Sequence, residues 1–192
     1  MINFLKALIT RLFRDRLGER AKKFCGHLQA IGVDAKIISH WSSHGNQATR
    51  EIRIAITGKP VQQIVIREVT YPHVDNTDIV VYIDYLVKDS RIAVERYPVV
   101  IYTVRVRTFP LFGKVVDLRW EGDDCGTGLI DQLQGNMSIK LAIMKGRDIR
   151  ISAGDGAWYI WPYNSPSAFF IPSEEEWNCY QAIARHLLDM KV

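Results

Sequence analysis

Apolar residues recur every three or four positions from Ile2 to Ile31. After Asp34 the spacing changes to strict alternation and short continuous runs. The first pattern predicts helix and the second predicts strands. On a wheel of 100° per residue, Ile2, Phe4, Leu5, Leu8, Ile9, Leu12 and Phe13 fall in one half-circle, and Lys6, Thr10, Arg11 and Arg14 fall in the other. Continued on the same wheel, Arg16, Glu19 and Arg20 land inside that apolar half. A second stripe of Leu17, Ala21, Phe24, Leu28 and Ile31 takes over on the opposite side. The change of side predicts two segments with separate burial partners, hinged near "RDRLG". It divides the chain into an amphipathic segment over 1–16 and an α+β domain over 17–192. Gly32 is the expected helix stop.

Strands are expected next. "DAKIISHW" (34–41) is short. "REIRIAITG" (50–58) sets Ile52, Ile54 and Ile56 against Arg53 and Ala55, and "VQQIVIREVTY" (61–71) follows the turn at "GKP". "DIVVYIDYLV" (78–87) is apolar on both faces, which suits a central strand. "PVVIYTVRVRTF" (98–109) places Val100, Tyr102, Val104 and Val106 on one face and Arg105 and Arg107 on the other, and "KVVDLRWEG" (114–122) completes a meander. The turns "SSHGNQ" and "YPHVDNTD" favour antiparallel pairing.

The pattern then shifts. "LIDQLQ" and "SIKLAIMK" predict two short helices, ended by Gly146. "RDIRISAG" (147–154) and "AWYIWPY" (157–163) predict a hairpin across "GDG". Ser173 followed by Glu176 forms a capping box, with an acidic triplet at the positive end of the helix dipole. Trp177, Tyr180, Ile183, Ala184 and Leu187 make the core stripe of that last helix. The expected fold is therefore α+β: an antiparallel sheet of six or more strands packed by an N-terminal helix and a capped C-terminal helix. The frames "REIRIAITG" and "RDIRISAG" resemble one another. They mark two related halves, 17–122 and 123–192, or simply the common pattern of half-buried strands with paired charges.

Apolar residues make up 47% of the chain and charged residues 24%, the usage of a packed domain. No stretch reaches the ~18–20 apolar residues of a membrane span. Three widely spaced cysteines, Cys25, Cys125 and Cys179, argue against a disulfide framework and for a reducing, cytoplasmic setting. The formal charge of +4 is uneven. Residues 1–23 carry Lys6, Arg11, Arg14, Arg16, Arg20, Lys22 and Lys23 against Asp15 and Glu19, a local +5, so the remainder is −1. Basicity belongs to one segment, which makes nucleic acid an unfavoured partner.

Four features carry candidate chemistry. In "GDGAWYIWPYNSP", Tyr159, Trp161 and Tyr163 share one strand face and Trp158 and Ile160 the other. Pro162 predicts an edge strand whose aromatics are mostly core, with Tyr159 and Tyr163 reaching solvent as the residues to meet a stacked ligand or a protein partner. In "GDDCGTGL", Cys125 precedes a helix start that would stabilise a thiolate, while Asp123 and Asp124 oppose the anion and serve as caps. A cysteine enzyme would need His40, His44 or His73 nearby in space. Arg53, Arg105, Arg107, Arg119 and Arg150 occupy polar strand positions, as an anion-binding face or as a solvated face of cross-strand pairs. No histidine pair has metal-site spacing, and no cofactor is expected.

The fourth feature is the amphipathic segment itself. Phe4, Leu8, Leu12 and Phe13, with Arg11 and Arg14, are the expected contact residues of a non-enzymatic binding or interaction module. They would meet a second copy, a protein partner or an anionic membrane surface. The alternatives are a small enzyme using Cys125 and a nucleic-acid binder using the arginine face.

Overall fold

The chain runs α1 (Ile2–Ala30), β1 (Ala35–Ser43), β2 (Ala48–Ile56), β3 (Gln63–Pro72), β4 (Thr77–Lys88), β5 (Val100–Arg107), β6 (Val115–Asp123), α2 (Leu129–Gly135), α3 (Met137–Lys145), β7 (Ile149–Gly154), β8 (Ala157–Pro162) and α4 (Glu174–Asp189). The computed structural model describes residues 2–43, 48–72, 77–92, 99–109, 113–163 and 169–190. The side chains of residues 2–15, Pro72 and Thr77 lie outside that description. The sheet is antiparallel, in the order β1-β2-β3-β4-β8-β7-β5-β6. The chain divides into two compact units, residues 1–57, 64–83 and 166–171 in one, and 58–63, 84–165 and 172–192 in the other.

In the first unit, α1 is one helix, not two hinged segments, and its backbone runs through "RDRLG" unbroken. The helix packs through Leu17, Ala21, Phe24, Cys25 and Leu28, all buried. It ends as the sequence predicts. Gly32 adopts φ 79°, the Val33 amide donates to Leu28 O at 2.9 Å and the Gly32 amide donates to Gln29 O at 3.0 Å. This is a Schellman stop, sealed by the buried side chains of Leu28 and Val33. Phe24 meets the edge of Phe169 at 6.2 Å, and Arg20 lies over the same ring at 5.5 Å. β1 pairs with β2 with an irregularity between Ile37 and Ser39, and Ile52, Ile54 and Ile56 point into the core.

In the second unit, the sheet buries Tyr85, Ile101, Leu118, Ile149, Ile151, Trp158 and Ile160. The covering helices supply Leu129 and Leu133 from α2, Ile139 and Ile143 from α3, and Trp177, Tyr180, Ile183 and Leu187 from α4. Tyr85 meets Tyr180 at 4.4 Å and Trp177 at 6.2 Å between ring centroids. The capping box of α4 forms as expected: Glu176 N donates to Ser173 Oγ, and Ser173 N donates to the Glu176 carboxylate. Asp155 and Gly156, at φ 50° and 72°, make the two-residue turn of the β7–β8 hairpin.

Three expectations are corrected here. β6 does not complete a meander, because β8 and β7 insert between β4 and β5. β8 is interior, not an edge strand. Its ladder to β4 runs from Ala157 to Ile160, so Pro162 lies past that ladder and costs it no donor. On β5 the core side is Ile101 and Thr103, and Tyr102 faces outward. Arg105 shares the inward parity.

Arginines finish two of the helices in this unit. Arg105 donates to Ile143 O, Met144 O and Gly146 O at the end of α3, and to Asp148 Oδ1 at 2.7 Å. Arg91 donates to Leu187 O, Leu188 O and Met190 O at the end of α4. A cation at these sites satisfies orphan carbonyls and complements the negative end of each helix dipole.

Candidate functional site

The described residues that sequence patterning singles out fall in both compact units. Cys125 sits four residues before α2, in a left-handed turn at φ 52°. Asp123 Oδ1 accepts from Cys125 N at 2.8 Å and closes the turn, while Asp124 accepts from Gly126 N and, at the start of α2, from Ile130 N. Partial burial, then the negative charge of Asp123 and Asp124, raises the Cys125 thiol pKa. A nucleophile requires the opposite shift. His44 and His73 lie outside the described residues. Among the described residues no group of three metal-ligating side chains gathers.

The outward face of β8 is largely self-packed. Tyr159 lies 6.3 Å from Trp161, and the Arg150 guanidinium sits over the Trp161 ring at 5.3 Å. In register, Trp161, Arg150, Tyr102 and Glu121 form a row across four strands, alternating aromatic and charged. Tyr163 is 44% exposed but anchored: its hydroxyl donates to Thr103 O at 3.1 Å and its amide to Asp148 O at 2.8 Å. Burial and the nearby Asp148 carboxylate raise its phenol pKa.

Three of the candidate arginines are engaged within the second unit. Arg105 points inward to α3, Arg107 donates to Gly113 O, and Arg150 covers Trp161. Arg53 belongs to the other compact unit, where it pairs with Glu51 at 2.6 Å.

The first unit contains an ion network that the alternation pattern passes over. Glu68 on β3 is buried and pairs with Arg50 and, at 3.9 Å, with Arg20. Glu51 on β2 is buried and accepts from Arg53 and Arg67. A cavity of about 310 Å³ lies alongside, lined by Leu17, His40, Trp41, Ser42, Arg50, Glu51 and Ile52. The available signal was an acid beside an arginine in both "TREIR" and "VIREV". Its meaning depends on strand pairing that one segment cannot specify.

The second unit carries two hollows between α3 and α4. One, about 430 Å³, is lined by Lys145, Arg147, Glu175 and Glu176, which pair as Lys145–Glu175 at 2.9 Å and Arg147–Glu176 at 2.6 Å. The other, about 510 Å³, is a groove lined by Ser138, Ile139, Ala142, Glu174, Glu175, Asn178, Cys179 and Ala182. On α3, Met137 and Leu141 stand 63% and 50% exposed. Burial pushes the Cys179 thiol up to about 12, with Glu176 and Glu175 adding to the shift. Asn136 joins the two helices, accepting from Ile139 N through Oδ1 and bonding His186 Nε2 at 2.9 Å.

Among the described residues no helix is long and apolar enough to cross a membrane. The chain matches no protein-family model, no curated protein and no solved structure in the comparisons made.

Proposed function

We propose that the chain is a non-enzymatic interaction module that binds another protein surface through the apolar stripe of residues 2–13. The observation that carries this reading is the unbroken α1, which packs on its own unit through Leu17, Ala21, Phe24 and Leu28. On one continuous helix the sequence stripe of Phe4, Leu5, Leu8, Ile9 and Leu12 is centred about 160° from that packing stripe. The contacts that hold the helix in place are therefore not an extension of it. Leaving such residues in water forfeits ~1.5–3 kcal/mol for each large side chain, which favours association. Lys6, Arg11 and Arg14 lie on the polar side of this stripe and support a second reading, adsorption to an anionic membrane.

Deletion of residues 1–14, and Leu8→Asp with Leu12→Asp in the full chain, test the reading. Light scattering and vesicle co-sedimentation should show an associating parent and folded variants that associate less. A monomeric parent that ignores anionic vesicles, with a truncated chain that unfolds, would sink it.

A further inference from the structure

We infer that the cavity of the first unit binds a small organic anion, one oxyanionic group on a short apolar body. At about 310 Å³ the cavity is at the low end of small-molecule sites. Strand register sets its floor. Ser42 pairs with Arg50 and His40 with Ile52, and residues paired across two strands share a sheet face. Arg50 and Ile52 are two apart on β2 and therefore also share one. Ile52 is buried on the core side, and Leu17 of α1 closes the apolar wall. Three polar groups, the Arg50 guanidinium, the Ser42 hydroxyl and the His40 ring, thus stand beside two apolar side chains.

Charge and hydrogen bonding select an anion. Glu68 serves both Arg50 and, at 3.9 Å, Arg20, so one carboxylate faces two guanidiniums. The further contact of Arg20, with the Phe169 ring, brings no formal charge. Arg50 binds Glu68 through Nη2, while its Nη1 is buried with no hydrogen-bond partner. A buried donor left without an acceptor is costly, and more so when it is cationic. The Arg50 side chain lines the cavity and keeps 20% of its surface exposed, so a small swing of the guanidinium brings Nη1 to an oxyanion there. Glu51 also borders the cavity. As the register partner of Trp41 it belongs to the opposite sheet face, where Arg53 and Arg67 neutralise it. Carboxylate and phosphoryl oxygens both suit these donors, so the shared chemistry is the oxyanion.

The test titrates sodium benzoate and phenyl phosphate, with benzamide as the uncharged control, into the isotope-labelled full-length chain at constant chloride. Amide NMR shifts give both affinity and place. At least one anion should saturate with a dissociation constant on the order of 1 mM, and benzamide should not. The amides that move should be those of Leu17 and of residues 40–42 and 50–52. Arg50→Lys keeps a cation for Glu68 but removes the planar fork, and Ser42→Ala removes a donor at an exposed position. Binding should weaken about tenfold in the first and about threefold in the second. Where Arg50→Lys fails to fold, Ser42→Ala carries the test.

Phenyl phosphate binding alone assigns a phosphoryl ligand, benzoate binding alone a carboxylate, and either supports the site. Benzamide binding as tightly as the anions overturns it, as do shifts confined to other residues and folded variants that bind like the parent. A chain that shows no saturable shift with any probe overturns it too. None of these outcomes bears on association through residues 2–13.

Discussion

The indole N–H of Trp158 donates to Asp89 Oδ2 at 3.1 Å, inside the second unit, and the same carboxylate accepts from Arg91 Nε at 2.8 Å and Nη2 at 2.7 Å. Arg91 in turn holds the last carbonyls of α4. One buried acid therefore links a sheet residue to the end of the C-terminal helix.

That acid makes stability pH-dependent. The Arg91 hydrogen bonds hold the Asp89 carboxyl below the ordinary range, against the opposing effect of burial. A folded-state pKa depressed below the unfolded value stabilises above the unfolded pKa, and the contribution is lost as pH falls through the folded one. Asp89→Asn should cost ~1–3 kcal/mol at pH 7. Urea midpoints of parent and variant should converge on acidification below the ordinary carboxyl range. A constant difference across that range would refute the assignment.

Trp177 is 3% exposed and packs against Tyr85. Trp177→Ala should destabilise the fold by ~3–5 kcal/mol, since the cavity in a layer of aromatic rings cannot collapse fully. The denaturant midpoint measures this, and a near-unchanged midpoint would contradict the packing.

Arg105 serves three carbonyls and Asp148 at once. Arg105→Ala should cost ~2–4 kcal/mol because these acceptors lose their partner in a half-buried site. Arg105→Lys should rescue only part, because one ammonium cannot reproduce the planar fork. Full rescue by lysine would show that charge alone matters there.

Iodoacetamide should label the native protein at Cys125 alone, since Cys25 and Cys179 are buried. The rate should climb through and beyond the ordinary thiol pKa of 9.0, because desolvation and the Asp123 and Asp124 carboxylates all push the Cys125 thiol upward. Fast labelling below pH 8, read by mass spectrometry, would revive the cysteine-enzyme reading.

Local chemistry was legible in the chain itself. The Schellman stop at Gly32, the Ser173–Glu176 capping box, the Asp155-Gly156 turn and the stripe Trp177–Leu187 all depend on residues within a few positions of each other. Backbone geometry at that range follows directly from side-chain type. The central place of β4 was also readable, because apolar residues on both sides of a strand need cover on both faces.

Strand order and the facing of polar groups were not legible. Pro162 argues for an edge only if its missing donor is needed by a neighbour, and the β4 ladder stops at Ile160. Arg105 looks like a solvent residue until the end of α3 is brought over it from nearly forty residues away. The alternation of β2 and β3 gives Glu51 and Glu68 no partners, whereas pairing of the strands surrounds them with arginines. Sequence alone determined the strands, the stop at Gly32, the capped start of α4 and the packing stripe of α1, because these are properties of neighbours along the chain. Tertiary structure alone decided which strands meet, which charges are neutralised and where a groove remains open, because those are set by groups that only folding brings within a few ångströms.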